Sequence, residues 1–119
     1  MDFAIILTTA SAIEEGQSIA NTLVEKQLAA CVNIIPKISS VYHWEGQIQS
    51  EPEVLLLIKT TKDLESEVYQ EVQNLHSYDT PELITLPITN GSETYLNWMT
   101  NAVGKHKICL LYTSPSPRD

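Results

Sequence analysis

The segment His76-Ser77-Tyr78-Asp79-Thr80-Pro81-Glu82 places an imidazole, a phenol and two carboxylates within one short stretch of an otherwise apolar, strand-rich chain. Imidazole nitrogens and carboxylate oxygens can hold divalent cations, and the same groups can orient a polar organic ligand. Pro81 fixes a backbone torsion inside the segment and so sets the direction in which Glu82 leaves it. Cys31 adds a thiol, which suits Cu(I) and other soft metals. A stable transition-metal site takes three or four protein ligands, so Cys31 needs His76, Glu82 or a second subunit to complete one. Lys59 ends the apolar run Val54-Leu55-Leu56-Leu57-Ile58 and must reach solvent or a carboxylate, which groups it with Tyr78 and Asp79 around a ligand pocket beside His76.

Each of these residues also has a structural explanation. Cys31 suits a buried strand position, His76 suits the carbonyl end of a helix, and Glu82 suits an ion pair with Lys59. The chain carries no glycine-rich phosphate loop, no Cys-x-x-Cys pair and no defensible nucleophile and base, so a binding protein is expected and not an enzyme.

Fifteen acidic and seven basic residues give a net charge of −8, which repels nucleic acid and anionic membranes. At 119 residues, 43% of them hydrophobic, the chain is one domain that needs no disulfide or cofactor to fold. Cys31 and Cys109 lie far apart, and a disulfide between them is not expected. An acid at position 2 and an apolar run that stops at Leu7 fit neither a signal peptide nor a membrane span, so the expected setting is cytoplasmic.

The elements that position these groups follow from periodicity. Phe3 to Leu7 is a continuous apolar run, as in a central strand covered on both faces. Ser11 and Glu14 fit a capping box, opening a helix whose apolar stripe is Ile13, Ala20, Leu23, Val24 and Leu28, with Glu15, Asn21 and Glu25 turned away. Ala29 to Tyr42 reads as a long edge strand bent at Pro36. Glu45-Gly46 turns it back into Ile48 and Val54 to Ile58, making a hairpin. Thr60 or Thr61 caps a second helix with Leu64, Val68, Val72 and Leu75 inward, ending near His76. Leu83, Ile84, Leu86 and Ile88 form a last strand with Pro87 on an edge. Gly91-Ser92 caps a third helix, on which Tyr95, Leu96, Met99, Ala102 and Val103 share a face beside Trp98. The order β-α-β-β-α-β-α makes this an α+β protein, its first six elements matching the split βαβ of a ferredoxin-like sandwich.

Extended at ~3.3 Å per residue, the fourteen residues from Ala29 to Tyr42 reach ~46 Å. A globule of this size is only roughly 33 Å across. The hairpin must therefore project or curl, and an apolar projecting edge calls for a covering subunit. Trp44 and Glu45 at its tip are expected at that interface, as are Tyr95 and Trp98. The domain is expected over residues 1–103. Residues 104–119, ending in Ser-Pro repeats, read as a disordered or non-native tail.

Read together, Leu28-Ala29-Ala30-Cys31-Val32-Asn33-Ile34-Ile35-Pro36, Ser40-Val41-Tyr42-His43-Trp44-Glu45-Gly46 and Leu57-Ile58-Lys59-Thr60-Thr61 resemble the CutA family of divalent-cation tolerance proteins. His76-Ser77-Tyr78 followed by Pro81-Glu82, and Tyr95-Leu96-x-Trp98, resemble the family's later motifs in the same order, with Ser77 where the family often has proline. The resemblance implies a ferredoxin-like subunit in a homotrimer whose long strands pair between subunits. It also implies tolerance to divalent metals, copper binding, and an architecture similar to the PII signalling trimers, which hold small effectors in clefts between subunits. A metal-response trimer, a PII-like effector sensor using Lys59, and a structural trimeric scaffold are the functions to be separated.

Overall fold

The computed structural model describes residues 2–104. The elements are β1 (Phe3–Ala10), α1 (Ile13–Glu25), β2 (Cys31–Trp44), β3 (Gln47–Thr61), a 3-10 turn (Lys62–Leu64), α2 (Glu65–Leu75), β4 (Ile84–Ile88) and α3 (Glu93–Ala102). Cys109 and all of the expected tail beyond Gly104 lie outside the described residues.

The four strands form one antiparallel sheet in the order β2-β3-β1-β4, which puts the strands bearing Pro36 and Pro87 on its edges, while Pro52 lies on the part of β3 beyond the end of β1, where β3 pairs with β2 alone. Strand periodicity divides the sheet into two faces. Ala4, Ile6 and Ala10 of β1 and Val54, Leu56 and Ile58 of β3 are buried on one face. There they pack with Ile19 and Leu23 of α1 and with Val68 and Val72 of α2. A Cβ added at Gly16 would lie 3.2 Å from Leu56 Cδ1, so the glycine is what lets α1 approach β3 this closely. The opposite face carries Ile5, Leu7, Leu55 and Leu57, all half-buried, with Ile35, Ile84 and Leu86 exposed.

β2 and β3 pair from Cys31↔Lys59 to Trp44↔Gln47. The molecule measures 54 × 28 × 24 Å, and its long dimension matches two strands of fourteen and fifteen residues. The strand expected over Ala29 to Tyr42 is shifted two residues later. Ala29 and Ala30 instead form a buried link, tied by Ala30 N–H donating to Lys59 O at 2.8 Å. At Pro36-Lys37 three steps on β2 oppose two on β3, and Lys37 takes φ 65°. This bulge adds one residue and so reverses which β2 side chains share a face. Before it, Cys31, Asn33 and Ile35 oppose the odd-numbered residues of β3; after it, Ile38, Ser40, Tyr42 and Trp44 do. Glu45 and Gly46 both have positive φ, 51° and 79°, as a tight two-residue hairpin turn requires.

Helix boundaries correct several expectations. Ser11 bonds to Glu15, four residues on, and not to Glu14, so no capping box forms and Ala12 stands at the cap with no side-chain bond. Neither Thr60 nor Thr61 caps α2. Thr60 Oγ1 is buried and donates to Leu28 O at 2.7 Å, and the helix is entered through the 3-10 turn. Ile13, Val24 and Leu75 are partly exposed, while Gly16 and Ile19 supply the inner face of α1. Ser92 does cap α3, accepting from Tyr95 N–H.

Candidate functional site

The loop from Ser77 to Leu83 leaves the end of α2, passes the end of β1 and enters β4. His76 anchors it, and its side chain is 0% exposed. Nε2 lies 2.6 Å from Thr9 O, which can only accept, so Nε2 carries the proton. Nδ1 then accepts the Tyr78 N–H at 3.0 Å. Both ring nitrogens are thus committed to the backbone, and the ring packs against Tyr78 at 4.6 Å between centroids.

Glu15, placed on the outer side of α1 by its periodicity, turns out to hold the same loop. Its Oε2 accepts from Ser77 N–H at 2.8 Å and its Oε1 from the Ser11 amide and hydroxyl. Burial pushes this carboxyl upward, but the Ser77 and Ser11 hydrogen bonds outweigh it and bring the pKa down from 4.5 to about 2. Spacing from Ser11 was the available signal, since Glu15 lies four residues on.

Fixed in this way, the loop faces the hairpin. The Tyr78 hydroxyl donates to Glu53 Oε2 at 2.8 Å, and the Tyr42 hydroxyl donates to Glu51 Oε1. Burial, then the bond to Glu53 and the neighbouring negative charges, push the Tyr78 phenol up to about 12. A cavity of about 680 Å³ lies between loop and hairpin, lined on the hairpin side by Tyr42, Trp44, Gln49, Glu51 and Glu53. Tyr78, Asp79, Thr80 and Glu82 line it from the loop. Three expected loop residues therefore meet Trp44, which was assigned to an interface. Glu51 and Glu53 were missed, although their i, i+2 spacing about Pro52 already placed them on one strand face.

Lys59 does not belong to this group. It stands four residues along β3 from Leu55, the partner of Thr9, a separation of about 13 Å along the strand. Its ammonium lies 5.6 Å from the Tyr95 ring centroid, a cation–π contact, and Tyr95 packs on Trp98 at 5.4 Å. Cys31 pairs with Lys59 at that same distant end and is half-buried with a free thiol. Cys31, His76 and Glu82 are therefore not brought together within one chain. Among the described residues no three His, Cys, Asp or Glu side chains converge as metal ligands. Copper thus does not fit this trio in a single subunit, all the more because His76 has no uncommitted nitrogen.

An antiparallel four-stranded sheet, helices on one face and an anchored loop over a long hairpin define a small α+β protein. The CutA1 divalent ion tolerance protein family model matches residues 4–102, and the chain belongs to that family. It is 48% identical over 98 residues to "Protein CutA, chloroplastic" of Arabidopsis thaliana, spanning 82% of this chain but only 54% of that protein. It is 41% identical over 100 residues to the "Divalent-cation tolerance protein CutA" of Thermus thermophilus, spanning 84% of this chain and 97% of the relative. Among solved structures, CutA1 from Oryza sativa superposes with a TM-score of 0.87 at 40% identity, covering 88% of this chain and 96% of that one.

Proposed function

We propose that the chain works as a homotrimer in the response to divalent metals, without catalysing a reaction. Its fold in this reading is the ferredoxin-like split βαβ, with the hairpin as the oligomerisation arm. One observation carries it. The sheet face opposite the helices presents Leu7, Leu57, Ile84 and Leu86 as a continuous apolar surface, and the hairpin beyond it exposes Val41 and Ile48 on its other face. Apolar area of this kind, with two open strand edges, is what a symmetric assembly buries. Family membership supports the metal response, and the Thermus relative bears that function in its name. The half-buried, free Cys31 thiol suits a reducing, cytoplasmic setting and is the soft donor for copper, its other ligands coming from a neighbouring copy.

An anionic effector at the loop is the weaker reading, because Lys59 lies away from the cavity and none of the described residues lining that cavity is basic. A scaffold role would leave every loop substitution silent. Native mass spectrometry with Cu(I), Cu(II) and Zn(II) under reducing conditions tests the proposal. A trimer that gains stoichiometric metal, lost in Cys31→Ser, is expected; a trimer that binds none of them would sink the direct-binding part. Leu57→Asp should convert the assembly to monomer, and a variant that stays trimeric would place the interface elsewhere.

A further inference from the structure

The cavity between hairpin and loop has a chemistry that the metal response does not use. Three aromatic rings, Tyr42, Trp44 and Tyr78, border it, and the bulge at Pro36-Lys37 is what turns Tyr42 and Trp44 onto that face. Four carboxylates border it as well, and among the described residues no lysine, arginine or histidine does. Two of these carboxylates, Glu51 and Glu53, take a tyrosine hydroxyl each, a neutral donor that leaves the negative charge uncompensated. Both phenols are pushed upward, with Glu51 and Glu53 among the causes in each case.

This is a poor arrangement for an inorganic cation. Among the described residues no three His, Cys, Asp or Glu donors converge to replace a hydration shell, and much of the wall is aromatic carbon. It is a good one for a cation that carries its own apolar surface. An alkylammonium group lies favourably over a ring face, and its N–H groups or its charge find carboxylates at the rim. At about 680 Å³ the cavity lies within the range of small-molecule sites. The geometry points to a binding site for organic ammonium cations, in which Trp44, Tyr42 and Tyr78 take the hydrocarbon and Glu51, Glu53, Asp79 and Glu82 take the charge. Trp44 is 61% exposed in the single chain, and it stands on the hairpin proposed above as the oligomerisation arm, so the test has to separate ligand contact from subunit packing at this ring. The ligand class is opposite in charge to the anionic effectors considered for the loop.

Isothermal titration of the intact oligomer with putrescine, and separately with Mg²⁺, tests this. Saturable putrescine binding is expected, with Mg²⁺ a weak competitor and Trp44 fluorescence changing on titration. Trp44→Leu should weaken putrescine binding by about tenfold or more, the scale of a desolvated cation–π contact. Glu53→Gln keeps an acceptor for the Tyr78 hydroxyl and should also weaken it while leaving the melting temperature little changed. If Trp44→Leu fails to fold, Glu53→Gln decides alone, and unchanged affinity there overturns the proposal. Mg²⁺ binding as tightly as putrescine would reduce the site to a diffuse acidic surface and overturn it too. So would a Trp44→Leu protein that loses its assembly but keeps its putrescine affinity, since the ring would then belong to subunit packing.

Discussion

The Glu15 carboxylate accepts the Ser77 amide at 2.8 Å, joining the first turn of α1 to a loop 62 residues away. The same carboxylate lies 3.7 Å from His76 Nδ1, so helix, loop and anchoring imidazole meet around one charge. The pH dependence follows from its sign. The folded carboxyl titrates near 2 and an unperturbed one near 4.5, so its stabilisation is fully present above 4.5 and is lost as pH falls from there toward 2. Glu15→Gln should flatten the stability profile across that window and lower stability at neutral pH by about 1–2 kcal/mol. Urea unfolding at a series of pH values measures both, and an unchanged acid limb would remove Glu15 from the account.

His76→Ala should be the most damaging single change in the loop. It strands the Thr9 carbonyl and the Tyr78 amide and leaves a void where a fully buried ring stood. A loss of about 2–4 kcal/mol is expected from these combined effects. Hydrogen exchange at the Tyr78 amide gives a local readout. Fast exchange in the variant with the core still protected would show that the loop has been released from an intact fold.

The order of elements was legible because periodicity reports burial directly. The run from Phe3 to Leu7, the Glu45-Gly46 turn and the Ser92 cap stand where their residue types place them. The site was legible only as a list of chemically capable residues. His76 and Tyr78 are local to each other, so the loop was found, but Lys59 and Cys31 were drawn toward it by chemistry alone. Their register lies at the other end of β3. Glu53 was missed for the converse reason. Its partner Tyr78 is 25 residues away, and only the pairing of β3 with β1, on whose Thr9 carbonyl His76 anchors the loop, brings the two together. Ser11 shows the same limit at short range, since Glu14 alone satisfies the capping-box spacing, yet with Ala12 at the cap and the helix starting at Ile13 it is Glu15, four residues on, that Ser11 bonds.

Glu45 sits at φ 51° in the hairpin turn, a conformation that costs an ordinary L-residue roughly 1–2 kcal/mol. Asparagine tolerates that region, and Asn-Gly is the favoured pair for this turn. Glu45→Asn should therefore raise stability by about 0.5–1 kcal/mol. A thermal melt of the intact oligomer measures it. A loss instead would show that the Glu45 carboxylate has a role, as expected for an interface residue, that outweighs the turn geometry.

Gln27 makes the same kind of argument at the end of α1. The Leu28 amide donates to Leu23 O at 2.9 Å and the Gln27 amide to Val24 O at 3.0 Å, the pair of bonds that closes a helix on a left-handed residue. That residue is Gln27, at φ 59°, where glycine would be unstrained. Its Oε1 is also buried with no partner among the described residues, so the side chain adds a desolvation penalty to the backbone strain. Its carbonyl, which accepts from Gly104 N–H at 2.9 Å, survives any side-chain change. Gln27→Gly relieves the strain and removes the orphaned acceptor, at the cost of extra freedom in the unfolded chain. The two gains exceed that loss, and a net stabilisation of about 0.5–1 kcal/mol is expected in a urea titration. Destabilisation would mean that the aliphatic part of Gln27 contributes more to packing between the end of α1 and Gly104 than its amide costs.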